Sequence, residues 1–135
     1  MSNYFENIET LTTTNNDYRK VISTNSYMQL VLMSIPANNN IGSEVHPYLD
    51  QFFRIENGEG KAIVGDKEYV LKNGSVLIVP AGTNHNIINT SSTPLKLYTI
   101  YAPPNHPKDR VQKDKPEEHE QDGGCYNIKY KLKIY

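Results

Sequence analysis

Between positions 36 and 103 the chain is punctuated by turn-forming residues at intervals of roughly eight to twelve, and this rhythm restricts the fold more than any other feature. The marks are Pro36 to Gly42, Asn57-Gly58-Glu59-Gly60, Gly65-Asp66-Lys67, Lys72-Asn73-Gly74, Pro80-Ala81-Gly82, Thr90 to Pro94, and Pro103-Pro104. Asn-Gly pairs at 57–58 and 73–74 suit backbone of positive φ, where a side chain is otherwise disfavoured. The intervening runs are short and rich in β-formers: 27–35, 43–46, 51–56, 61–64, 68–71, 75–79, 85–89 and 95–101. No apolar period of 3.6 persists through three helical turns. Many short strands at even spacing predict an all-β sandwich or barrel.

The flanks differ in texture. Residues 1–26 are polar and rich in Asn and Thr, and read as a mostly irregular N-terminal arm, with room for a short helix. The barrel is expected over 27–104. Residues 105–123 read as a charged linker, because Pro107 to Asp122 carries Lys, Arg, Asp and Glu with almost nothing apolar. In 124–135, Tyr126, Ile128, Tyr130, Leu132 and Ile134 alternate with Asn127, Lys129, Lys131 and Lys133. Strict alternation is the pattern of a strand with one buried face. It is expected to pair with an open sheet edge, in its own barrel or a neighbour's.

Composition removes several function classes. A net charge of −1 offers no basic field to nucleic acid or an anionic membrane surface. The most apolar run, Leu30 to Ile35, is far too short to span a bilayer. The first residues lack a basic stretch followed by an apolar one, so no signal peptide is expected and the expected location is cytoplasmic. A single Cys, Cys125, excludes an intrachain disulfide and a cysteine-rich zinc module. Any metal site must therefore draw nitrogen and oxygen ligands from four His and the carboxylates and amides around them.

Two segments carry chemically informative spacings. Residues two apart on a strand share a face, so Glu44 and His46 project together. Gln51 opens the next strand, and His85 lies just past a Pro-x-Gly turn where the chain re-enters the sheet. If those strands face one another, one carboxylate, two imidazoles and one amide converge inside the barrel. Phe53 and Ile55 share parity with Gln51 and are expected to line the interior. Asp50 and Arg54 fall on the other face, Tyr48 is a candidate for the pocket mouth, and Asn84 and Asn86 read as turn formers. His106, in a Pro-bounded loop, and His119, in the charged tail, read as solvated surface residues. No phosphate-binding glycine loop, nucleophile elbow or basic-aromatic stripe is present.

Residues 74–89 resemble the second motif of the cupin superfamily, G-x5-P-x-G-x2-H-x3-N, with Gly74, Pro80, Gly82, His85 and Asn89 at every position. The first motif, H-x-H-x4-E-x6-G, is matched in spacing by Glu44, His46, Gln51 and Gly58 but altered in chemistry. The resemblance implies a small double-stranded β-helix, or jelly-roll, barrel over roughly 27–104; the short N-terminal arm and the extra C-terminal strand lie outside it. It also implies a site for a divalent Mn, Fe, Ni or Zn ion at Glu44, His46, Gln51 and His85. By position Glu44 replaces the first His and Gln51 replaces the Glu, so the carboxylate has moved rather than vanished. A metal-free pocket in which these groups bond to one another is the competing reading. The expected function is a cupin that binds a small polar molecule and a divalent metal in its barrel. The alternatives are a metal-dependent enzyme (a dioxygenase, or a sugar isomerase or epimerase) and an assembly protein that exchanges strands. A homodimer is the expected oligomer, with no nucleic acid or membrane as partner.

Overall fold

The computed structural model describes residues 3–117. The alternating segment 124–135, with Cys125, and His119 lie outside the described residues. Nine strands follow one short helix: α1 Ile8–Thr14, β1 Arg19–Thr24, β2 Gln29–Ile35, β3 Asp50–Asn57, β4 Gly60–Val64, β5 Lys67–Leu71, β6 Val76–Val79, β7 His85–Asn89, β8 Leu95–Ala102 and β9 Val111–Gln112. They form two sheets, ordered β6-β3-β8-β2-β1-β9 and β5-β4-β7, with antiparallel pairing throughout. This is the all-β architecture that the turn rhythm predicts, in the jelly-roll form that the motif resemblance implies. Among the described residues no helix is long and apolar enough to cross a membrane.

Alternation along each strand sets what faces inward. Across the larger sheet three inward rows stack. The first is Arg19, Met33, Leu97 and Ile55; the second is Val21, Val31, Thr99, Phe53 and Leu77; the third is Gln29, Tyr101, Gln51 and Val79. Ala62 and Ile87 meet them from the smaller sheet, both fully buried. Within the smaller sheet, β4 and β7 approach tightly at one point. A Cβ on Gly60 would collide with the carbonyl oxygen of Ile88, so only glycine fits there.

Three expectations need correcting. The stretch 1–26 is not mostly irregular. Asn7 caps α1, its side chain accepting from Thr10 N at 2.9 Å, and Arg19–Thr24 is a strand. Seven residues are too few for a stable isolated helix; α1 packs instead over β2, β3 and β8. The Lys96 amine bonds the Asn15 carbonyl and, at 3.0 Å, Asn16 Oδ1, tying down the helix exit. β1 escaped notice because a bulge between Val21 and Ser23 breaks its alternation.

The second correction concerns 43–46, read as a strand. Only an isolated bridge, Glu44 to His85, forms there, between Gly42 at φ 92° and Pro47. The third concerns the charged stretch after Asn105. Its described part is a strap rather than a solvated linker. β9 pairs with Arg19 and Lys20, Lys113 O accepts from Tyr18 N at 3.0 Å, and Lys115 Nζ donates to Asn40 O at 2.7 Å. His106, expected at the surface, is only 3% exposed.

Candidate functional site

The site is assembled by backbone pairing before any side chain contributes. Glu44 N donates to His85 O and His85 N donates to Glu44 O, both at 2.9 Å, pinning the 41–49 loop to the start of β7. Gly82, at φ 84°, donates its N–H to His46 O at 2.9 Å. Asp50 Oδ1 accepts from Ala81 N at 3.0 Å, fixing the Pro80 turn against the start of β3. The motif glycine and proline thus hold the two segments together, and Asp50 serves that turn from the surface. Arg54 also faces outward, 3.3 Å from Glu56, and Tyr48 is exposed.

All four predicted site residues converge. His46, Gln51 and His85 are buried, whereas Glu44 keeps 22% of its side chain exposed. Glu44 Oε2 lies 2.9 Å from His46 Nε2, and the two imidazole rings are 5.5 Å apart. One ligand atom from each of Glu44, His46 and His85 falls within 4.8 Å of the others. His85 Nδ1 is 3.0 Å from Thr83 O, and its Nε2 is 3.2 Å from Gln51 Oε1. Gln51 Nε2 donates to Thr99 Oγ1 at 3.0 Å.

Electrostatics separate the carboxylate from the imidazole. Burial acts to raise the Glu44 pKa. The hydrogen bond from His46 and the charges of His46, Arg19 and His85 outweigh it, so Glu44 stays below the usual carboxylate value. Burial lowers the His85 pKa, and the Thr83 carbonyl only partly opposes that. The pocket therefore presents a carboxylate beside a neutral imidazole, the protonation states that metal ligation requires.

The cupin domain model matches residues 31–101. This chain belongs to the cupin family. It is 45% identical over 117 residues to the uncharacterized protein YrkC of Bacillus subtilis, covering 82% of this chain and 63% of that one. The cupin chain here therefore spans rather less than two thirds of that relative. An uncharacterized protein of Acanthamoeba polyphaga mimivirus is 44% identical over 118 residues, covering 84% of this chain and 74% of that one. Among solved structures, a Bacillus halodurans protein superposes with a TM-score of 0.82 at 41% identity, covering 83% of this chain and 89% of that one.

Other polar groups in this cupin interior escaped the sequence reading. Gln29, fully buried, accepts from Asn105 N and His106 N through Oε1 and donates to His106 O at 2.8 Å. His106 Nε2 lies 3.2 Å from the Tyr101 hydroxyl, and the Tyr101 ring meets His46 edge-on at 5.9 Å. Each of Gln29, Thr99 and Tyr101 shares strand parity with apolar core residues, and that parity was the available signal. A cavity of about 530 Å³ opens between the 39–44 loop and the 115–117 strap, with Glu44 the one cluster residue in its wall.

Proposed function

We propose that this cupin binds a divalent cation through Glu44, His46, Gln51 and His85 and holds a small polar molecule beside it in the barrel. The observation that carries the reading is the pairing of His85 with Gln51. A carbonyl only accepts, so the contact with Thr83 O puts the ring proton on Nδ1. In the neutral ring, Nε2 then turns a lone pair toward Gln51 Oε1 at 3.2 Å. Two acceptors at that distance repel unless a proton or a cation lies between them. Burial disfavours the extra proton on His85, so a divalent cation held by both atoms would satisfy the pair. Gln51 can also turn its NH2 toward His85, with the Thr99 hydroxyl donating to Oε1. The two amide orientations are then the metal-bound and metal-free pairings of the same groups.

The donors fit such an ion: two imidazoles and a carboxylate suit Mn, Fe, Ni or Zn, and an amide oxygen favours the harder of these. A bound divalent ion would supply Lewis-acid polarisation of a ligand's oxygen atoms. The chain's own groups hold Glu44 ionised, hold the His85 proton on Nδ1 and exclude bulk water from the buried imidazoles. Titration of chelator-treated protein with Mn should show one bound ion per chain and a raised melting temperature. His85→Ala should abolish uptake while circular dichroism stays native. Absence of uptake of Mn, Fe, Ni and Zn by the native chain would sink the reading.

The same two-imidazole, one-carboxylate donor set serves non-haem Fe(II) oxygenases, which makes an oxygenase the second reading. Substrate-dependent oxygen uptake with Fe bound is its test. A second copy of the chain is the expected partner. Phe52, Ile78, Ile100 and Leu30 form one outward row across four strands of the larger sheet, with Ile78 62% exposed and Val76 beside it 53% exposed. Light scattering at a dimer mass, lost in Ile78→Lys, would support that arrangement.

A further inference from the structure

Arg19 is a buried charge with no carboxylate partner among the described residues. It opens β1 on the inward row with Met33 and Leu97, and is only 4% exposed. Among the described residues no carboxylate lies within 4.0 Å of its guanidinium; the ion pairs there join Glu44 to His46, Arg54 to Glu56 and Lys61 to Glu68. Its NH1 is engaged by a neutral amide, Gln112 Oε1, and its Nε is buried without a partner. Its guanidinium carbon sits 5.1 Å from the centre of the Tyr18 ring. Tyr18 is 2% exposed, and its hydroxyl is likewise buried without a partner. A buried guanidinium with an open donor edge carries a desolvation cost that a bound anion would offset.

Arg19, level with Met33 and Leu97, and Tyr18 just before it both lie within electrostatic reach of Glu44. The Arg19 charge helps lower the Glu44 pKa, and the Glu44 charge acts on Tyr18. Burial, helped by Glu44, outweighs Arg19 and pushes the Tyr18 hydroxyl up to about 12, so it remains a proton donor throughout the neutral range. Without a metal, Glu44 and Arg19 balance one another at a distance. A divalent cation on Glu44 would leave the pocket with excess positive charge, which selects an anionic ligand. The 115–117 wall of the neighbouring cavity carries Lys115 and Glu117 together and so adds no net charge of its own.

We propose that Arg19 and the Tyr18 hydroxyl form a carboxylate-binding subsite beside the Glu44–His46–His85 cluster, so that the small molecule held in the barrel is an organic acid. This rests on the reading that the barrel holds a small ligand next to a metal, and it names the chemical class of that ligand. A guanidinium edge plus one phenolic donor matches a planar carboxylate, which takes two or three such bonds. A phosphate group would call for more donors than these two side chains supply.

The test uses malonate and its neutral isostere malonamide as probes, titrated calorimetrically into the full chain, metal-free and Mn-loaded. Malonate is expected to bind and malonamide is not. Arg19→Gln should weaken malonate by about tenfold or more while leaving Mn uptake intact, since Arg19 is not a ligand. If that variant misfolds, Tyr18→Phe, which removes a single oxygen, should weaken malonate several-fold in a native barrel. Equal binding of malonate and malonamide, or malonate affinity unchanged in both variants, overturns the proposal, and so does tighter binding of inorganic phosphate. Arg19-dependent malonate binding in a chain that takes up no metal would keep the subsite and refute the metal reading. Mn uptake without Arg19-dependent malonate binding would do the reverse.

Discussion

The barrel interior has two halves built on the same strands. Toward one end, Met33, Ile35, Ile55, Leu95, Leu97, Ala62 and Ile87 pack as an apolar plug, all at most 2% exposed. Toward the other, Gln29, Gln51, Thr99, Tyr101, His46 and His85 are buried just as deeply but are polar. The first half derives its stability from area and fit. The second depends on each group meeting a partner, and most do: Gln51 reaches Thr99, Gln29 reaches the 105–106 backbone, and His85 reaches Thr83. Among the described residues, the buried side-chain atoms without a partner include Arg19 Nε, on the Met33–Leu97 row of β1, Tyr18 OH just before it, and Asn105 Oδ1 in the strap. One half holds the fold by packing, and the other by pairing its buried polar groups.

The comparison breaks most sharply at Leu97. It is fully buried between Met33 and Ile55, so Leu97→Ala should cost about 3 kcal/mol in urea unfolding, from lost transfer energy plus a residual cavity. Divalent-metal affinity of the folded fraction should stay within about twofold of the native value. A large loss of metal affinity would mean that the two halves are not separable.

Thr99 stands at the boundary. It lies on the inward row with Val31 and Phe53 yet accepts from Gln51. Thr99→Val keeps the volume and removes the hydroxyl, stranding a buried amide donor at a cost of about 1–2 kcal/mol. Unlike Leu97→Ala, it should also weaken Mn binding by roughly tenfold, because Gln51 loses the contact that orients it. Unchanged metal affinity would show that Gln51 does not act as a ligand.

These halves were unequally legible in the sequence. The apolar plug follows from strand alternation, and His46, Gln51 and His85 follow from parity together with the Gly74–Asn89 spacing. Glu44 reached the site although its expected strand shrank to a single bridge, because that bridge is to His85 itself. The contribution of the flanks was not legible. Arg19 sits on a bulged strand whose partners lie at Met33 and Gln112, distant in sequence, and no local pattern announces such pairing. His106 looked solvated because its neighbours are Asn and Pro, yet its burial comes from Gln29 and Tyr101 on other strands. Charge-rich composition misled for a similar reason: the strap is held by backbone bonds and by Lys115, which composition does not encode.

The smallest expected effect is a slope, and it tests whether the polar half alone responds to acid. Burial lowers the His85 pKa from its ordinary 6.5, so in metal-free protein the unfolded chain takes up a proton that the folded chain refuses. Stability must then decline as pH falls through 6.5 toward the lowered folded value. Glu44 follows in a separate, more acidic window. Its folded pKa lies below the ordinary 4.5, so its contribution is intact above 4.5 and disappears only as pH falls through the folded value. Urea midpoints measured from neutral pH down to about 5 should therefore fall in the native chain and fall less in His85→Gln, which keeps a hydrogen-bonding side chain but cannot titrate. Leu97→Ala, lower throughout, should run parallel to the native chain, because nothing in the apolar half binds a proton. A His85→Gln chain that keeps the full native slope would place the acid response elsewhere and remove the distinction between the two halves on this axis.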